Sequence, residues 1–290
     1  MAITAKDVKE LRERTGAPMM ECKKALTDAG GDMDQAIKLL RERGIAKAAK
    51  RAGRDTAEGV VAVQVGEGNQ GATAVMVCCE TDFSARSDAF QELAGAAVTA
   101  AASLEPAAAG VEALLESKTP GGQTVKEVLE DTANKIRENM QITEVVRFGG
   151  VAGAYTHFDG KQAALVEVEL EDPSKAGSEE MTALLRDISM HIVAVTPPPL
   201  AVDESGIPEK VLAEEREIFI KQAMDSGKPK EIAEKMVTGR MKKFIAESAL
   251  LQQPFVKNPE KTIAQVLKEA AQKIGTAIKV KAFRRLSIGG

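Results

Sequence analysis

The sequence is short of aromatic residues. Its 290 residues hold no Trp, one Tyr and eight Phe. A core must then be built from Ala, Val, Leu, Ile and Met, and each aromatic is worth locating. No apolar run approaches the roughly 18 residues of a membrane span, so none is expected. The opening "MAITAKDVKELRERTG" is charged throughout, so no signal peptide is read there. Cysteine is scarce too: Cys22, Cys78 and Cys79. An odd number with two adjacent argues against a disulfide framework and for a reducing, cytoplasmic setting. The net charge of −4 gives no global electrostatic footprint for nucleic acid.

The usual marks of chemistry are also missing. There is no G-x-x-x-x-G-K-[ST] and no G-x-S-x-G, and the G-x-G-x-x-G spacing occurs only in "GEGNQG". The glycines of "GEGNQG" join two alternating segments, where a hairpin turn wants them. "SGKPKEIAEK" has a Gly-Lys pair but lies between helices rather than after a strand. Cys78 and Cys79 point to opposite faces of a strand, unlike spaced zinc ligands. The two histidines, His157 and His191, fall on separate elements. His157 could serve as a base, but no nucleophile motif accompanies it. No metal and no cofactor are expected, and an enzyme is the weaker class.

Along the chain, residues 1–44 read as three short helices. Thr4 with Asp7 makes a capping box, Gly16 ends the first helix, and Pro18 opens the second. Asp32 and Gln35 cap the third, which Gly44 follows. "IAKAAKRAGRDTA" (45–57) reads as a basic, partly helical linker. Lys47, Lys50, Arg51 and Arg54 could bind RNA or phosphate. A solvated helix face explains them as well, because no aromatics interleave for stacking.

From Glu58 the pattern changes to period two. "GVVAVQV" and "GATAVMVCC" form a hairpin, followed by the alanine-rich helix "DAFQELAGAAVTAAASL". The helix "TVKEVLEDTANKIRENM" and the strand "ITEVVRF" come next. The order then repeats. "GAYTHFDGKQAALVEVEL" is a second hairpin and "SEEMTALLRDISMHIVAV" a second helix. "TVKEVLEDTANKIRENMQITEVV" from Thr124 aligns without gaps on "TIAQVLKEAAQKIGTAIKVKAFR" from Thr262. The expected fold is therefore α+β, a duplicated hairpin–helix–helix–strand module with an antiparallel sheet. The first copy spans 58–150 and the second 151–290. An insertion at about 197–261 reads as two amphipathic helices in an antiparallel hairpin broken at "SGKP". The closing helix and strand fill 262–290.

What remains is a set of apolar residues at turns. Met19 and Met20 follow Pro18 at a helix start. In "CCETDFSAR", Phe83 sits where the chain leaves a strand for a helix. It could fold back as a hydrophobic staple, or it could be presented outward.

These residues resemble the bacterial elongation factor Ts family. "ELRERTGAPMMECKKAL" is similar to the signature of its ubiquitin-associated-like three-helix domain. "ETDF" with Ala85 and Arg86 is similar to its second signature. "MHIVAV" and "SGKPKEIAEKMVTGRMKKF" resemble its later core and its helical hairpin, a coiled coil. The likeness covers essentially the whole chain. It implies a guanine-nucleotide exchange factor for elongation factor Tu in translation elongation, with no covalent catalysis of its own. It also implies no small-molecule substrate, no membrane and no nucleic acid as direct partner. Thr81, Asp82, Phe83 and Ser84 would enter the partner near its nucleotide phosphates and magnesium, with Ser84 where the family usually has Val. Arg12, Met19 and Met20 occupy matching positions of the N-terminal domain, and Ile136 and His157 fall in core segments that resemble partner-facing ones. The hairpin and the C-terminal segment carry over as regions only. The alternative is an RNA- or ribosome-binding accessory protein that uses the basic linker and the Lys242-Lys243 face.

Overall fold

The computed structural model describes residues 3–225 and 230–289, without the side chains of 45–50 and 230. Helices α1 (Ala5–Thr15), α2 (Met19–Asp28) and α3 (Met33–Arg51) open the chain. The capping box of Thr4 and Asp7 forms, and Gly16 closes α1 in the left-handed conformation (φ 65°). Asp32 caps α3 by accepting from Gln35 N at 2.9 Å. Leu11, Cys22, Ala25, Leu26 and Ala36 are the small core of these helices.

Gly44 does not end α3, which runs on to Arg51. "IAKAAKR" is rich in good helix formers, so nothing local stops the helix there. Gly44 is used instead for close packing. A Cβ at this position would collide with the side-chain amide of Asn134. The side chains of Lys47 and Lys50 lie outside the described residues, as does the break at 226–229.

After α3 come β1 (Glu58–Val65), β2 (Gln70–Cys79), the one-turn helix α4 (Asp82–Ala85), α5 (Asp88–Ala102), α6 (Val111–Glu116) and α7 (Val125–Ile136). Then follow β3 (Met140–Thr156), β4 (Gln162–Leu170) and α8 (Glu179–Ala194). The insertion contributes α9 (Glu209–Asp225), α10 (Lys230–Ser248) and the short pair β5 (Pro254–Phe255) and β6 (Asn258–Thr262). Helix α11 (Ile263–Ile274) and β7 (Ile278–Ser287) close the chain. The fold is α+β. The main sheet has the order β1-β2-β3-β4-β7, and β5 and β6 pair separately. The short helices α4 and α6 and the β5–β6 pair are not foreseen in the sequence.

"ITEVVRF" and the start of the second hairpin are not separate strands. They run together as the 17-residue β3. Gly149-Gly150 resembles a break in sequence, but Gly150 N donates to Glu167 Oε1 at 2.9 Å. A side chain there would strike the Glu167 carboxylate, so this glycine marks close approach inside a sheet.

Contacts divide the chain into two compact units. The first comprises residues 1–62, 74–146 and 288–290, and the second 63–73 and 147–287. In the first, Phe90, Leu93, Ala97 and Leu114 pack with Val75, Val77 and Cys79 of β2 and with Val125 and Ile142. In the second, β4 pairs antiparallel with β3 (Val151 opposite Val168) and with β7 (Leu165 opposite Arg284). Leu185, Ile188 and Ile192 of α8 pack on Val166, Ile263, Leu267 and Val280.

The 124/262 repeat holds in detail. Helices α7 and α11 each have 12 residues, and each starts with a capping box, Thr124/Glu127 and Thr262/Gln265. Each ends in a left-handed residue at the same repeat position, Arg137 (φ 71°) and Gly275 (φ 80°). The glycine adopts that conformation freely, whereas the arginine is strained.

Within the insertion, Ala223, Val237 and Met241 pack with Phe219 and Phe244 between α9 and α10. The Arg240 guanidinium lies 5.7 Å from the centroid of the Phe219 ring. The returning segment is tied to α8 through buried His191. Val256 N donates to its Nδ1 at 3.3 Å, and its Nε2 pairs with Gln253 Oε1 at 3.0 Å. Burial pushes this imidazole below its ordinary pKa, so the ring is held neutral. With Nδ1 accepting, the proton sits on Nε2 and is donated to Gln253.

Candidate functional site

Thr81, Asp82, Phe83 and Ser84 leave the end of β2 as the helical turn α4. A single turn cannot stabilise itself, because nucleation costs more than one turn of hydrogen bonds returns. Its footing comes from polar contacts. Thr81 Oγ1 caps α4 by accepting from Ser84 N at 3.2 Å. Glu138, in the turn after α7, accepts from Thr81 N at 3.1 Å and from Thr81 Oγ1 at 2.8 Å. Glu80 accepts from Asn139 N at 2.6 Å and pairs with Arg54 at 3.3 Å, and Asn139 Nδ2 donates to Arg54 O at 2.8 Å. Three chain segments thus close around the base of the tip.

The side chains diverge from this base. Ser84 is buried. Asp82 is partly exposed and lies 3.4 Å from Arg86 one turn on. Phe83 is 84% exposed, so it is no staple: the ring points to solvent. The buried face beneath the tip belongs to Cys79, whose thiol donates to Thr81 O at 3.2 Å. Its pKa is pushed up to about 12, by burial first and then by the nearby Glu138 charge. Cys78, on the other face of β2, lies 3.5 Å from Thr143 Oγ1. Neither thiol is placed or poised for nucleophilic chemistry.

Among the other expected positions, Arg12 is exposed on α1. Met19 and Met20 are exposed at the start of α2, Met20 by 74%. Ile136 is half-buried against the core of the first unit, two residues before Glu138. In the second unit, half-buried His157 has its Nδ1 3.4 Å from the Tyr155 hydroxyl, with the Phe158 ring centroid at 4.5 Å. Among the described residues no carboxylate is bonded to His157, and no cluster of His, Cys, Asp and Glu could hold a metal ion. No described helix is long and apolar enough to cross a membrane.

The sequence reading missed Phe158, which is 91% exposed at the β3–β4 turn. The criterion that singled out Phe83, a rare aromatic at a turn, would have found it in "HFDG".

The profile of a family described as elongation factor TS matches residues 80–290. Over 292 residues the chain is 43% identical to elongation factor Ts of Clostridium novyi, covering 99% of this chain and 93% of that protein. It is 45% identical to elongation factor Ts of Thioalkalivibrio sulfidiphilus, covering 100% and 93%. Against elongation factor Ts of Chloroherpeton thalassium the identity is 40%, covering 99% and 98%. With this identity sustained across nearly the full length of both partners in each comparison, the chain belongs to the elongation factor Ts family.

Proposed function

We propose that this chain promotes nucleotide exchange on the GTPase elongation factor Tu, in translation elongation and hence in the cytoplasm. The observation that carries the reading is Phe83. A large apolar ring is kept in water on a one-turn helix whose base is closed by five hydrogen bonds and an ion pair. Full burial of such a ring is worth about 1.5–3 kcal/mol. In a partner pocket that energy offsets contacts the partner loses elsewhere.

A GTPase holds its nucleotide largely through the phosphate-cradling loop and magnesium. Phe83 supplies the apolar volume that displaces this loop, and Asp82 acts beside the metal by charge or hydrogen bonding. Thr81 and Ser84 shape the turn. Arg12, Met19 and Met20 dock the N-terminal helices on the partner, and Ile136 and His157 add core contacts. No covalent step is needed. Exchange is coupled binding: if this chain lowers nucleotide affinity, nucleotide lowers its affinity by the same factor. GTP then fills the emptied site.

The test is stopped-flow release of fluorescently labelled GDP from elongation factor Tu, with and without this protein. Acceleration that saturates with concentration is expected. Release that is unchanged across the titration would overturn the reading.

A further inference from the structure

The strand end that carries Phe83 has a counterpart in the same chain. Residues 79–88 and 170–179 correspond without a gap. Each stretch begins on the last residue of a strand, β2 or β4. Each reaches a serine, Ser87 or Ser178, that caps the next long helix, α5 or α8. In both, the amide two residues past the strand is tied to the turn after the repeated helix. Asp172 N donates to Thr276 Oγ1 at 2.9 Å, and Thr81 N donates to Glu138 Oε2 at 3.1 Å. Glu138 and Thr276 occupy the same position of the 124/262 repeat.

Among the differences between the two strand ends, two are linked. Where the first has Phe83, the second has Ser174. Where the second uses a neutral hydroxyl, the first uses a carboxylate that takes an extra bond from Thr81 Oγ1 at 2.8 Å. That bond has a directional consequence. With its proton committed to Glu138, the Thr81 hydroxyl turns a lone pair toward Ser84 N and holds the α4 cap. The cap fixes α4, and α4 fixes the direction of Phe83. Bonds to an ionised acceptor are also the stronger kind. Glu138 is itself set by the strained left-handed Arg137 before it and by Asn139, bonded to Glu80 and Arg54, after it.

We propose that Glu138 is a positioning residue: acting through Thr81, its carboxylate aims and stiffens the Phe83 tip for insertion into the partner. The inference rests on the exchange reading above. A repeat position that needs only to close a turn has threonine, and the one that must hold a wedge has glutamate.

The test combines GDP release from elongation factor Tu with a double-mutant cycle. Glu138→Ala is expected to lower the maximal release rate about tenfold, short of the roughly 100-fold that a full 1 Å misplacement can cost, and to move the half-saturating concentration less. Glu138→Gln, whose carbonyl can still accept one bond, should fall between it and the parent. In a Phe83→Ala background, Glu138→Ala should cost nothing further, because its effect passes through the ring. Without any partner, amide exchange at Ser84 and Ala85 should quicken about tenfold in Glu138→Ala as the cap loosens. A purely structural role would lower the melting temperature yet multiply with Phe83→Ala.

Release at the parental rate in Glu138→Ala, a multiplicative loss in the double variant, or unchanged exchange at Ser84 each overturns the inference. Should Glu138→Ala melt below the assay temperature, Glu138→Gln, which can keep one bond to Thr81, carries the same comparison at smaller amplitude. If the parent itself fails to accelerate release, the exchange reading falls and this inference with it. An active parent beside an equally active Glu138→Ala overturns this inference alone.

Discussion

Gly44 of α3 lies so close to the Asn134 side chain of α7 that no Cβ fits between them. Asn134 is not free to swing aside, because its Oδ1 accepts from Arg51 Nη2 at 2.9 Å. Replacing a helix glycine by alanine ordinarily stabilises by about 0.5–1 kcal/mol. At Gly44 the sign reverses: Gly44→Ala is expected to cost about 1–3 kcal/mol through overpacking and the displaced hydrogen bond. Gly95 on α5 is the control, since a Cβ there meets nothing within 4 Å. Gly95→Ala should raise the melting temperature where Gly44→Ala lowers it, as read by calorimetry.

Phe83→Ala separates folding from function. The ring is exposed, so stability should stay within about 0.5 kcal/mol of the parent. GDP release from elongation factor Tu should slow by roughly 10- to 150-fold, which corresponds to losing about 1.5–3 kcal/mol of burial. A folded Phe83→Ala that exchanges at the parental rate would remove the ring from the mechanism.

His191 gives a pH signature. Its folded-state pKa lies below the unfolded value of about 6.5, because burial disfavours the charged ring. Protons therefore bind the unfolded chain first, and stability falls as pH drops below about 6.5 toward the folded value. Above that point this contribution is complete. Thermal melts from pH 8 to 5 should show the fall, and His191→Gln should lower stability at pH 8 while flattening the slope. An unchanged slope in that variant would assign the effect to other groups.

The thiols should be silent in the native state. Cys22, Cys78 and Cys79 are buried and unpaired, and burial raises the pKa of each. A chromogenic disulfide reagent at pH 8 should label none at the rate of a free cysteine, and all three in denaturant. Rapid native labelling of Cys79 would mean that the base of the tip opens readily.

Much of this was legible from sequence where one local signal sufficed. Thr4/Asp7 and Gly16 fixed the ends of α1, and the 124/262 repeat gave two helices of the same length and the same caps. Glycines misled where their role was tertiary. Gly44 and Gly150 resemble stops, yet both mark places where a neighbour, Asn134 or Glu167, comes too near for a side chain. No local pattern distinguishes the two uses. At the tip, sequence named Phe83 but not Glu138, which lies 57 residues from Thr81 along the chain. Its partner is set by how the turn after α7 meets the end of β2. Phe158 was readable and was passed over.

Exposure of Phe83 has a colloidal side. An aromatic ring left in water is also a place where copies of the chain could stick to one another. The tip limits this in two ways. The ring stands alone on its turn, too small to count as an extended apolar patch, and it is flanked by the charges of Asp82 and Arg86. A chain so poor in aromatics, whose Phe90 and Phe255 are buried, offers few other rings for it to meet. The scarcity of aromatics thus leaves the exposed Phe83 and Phe158 rings few others to stack on.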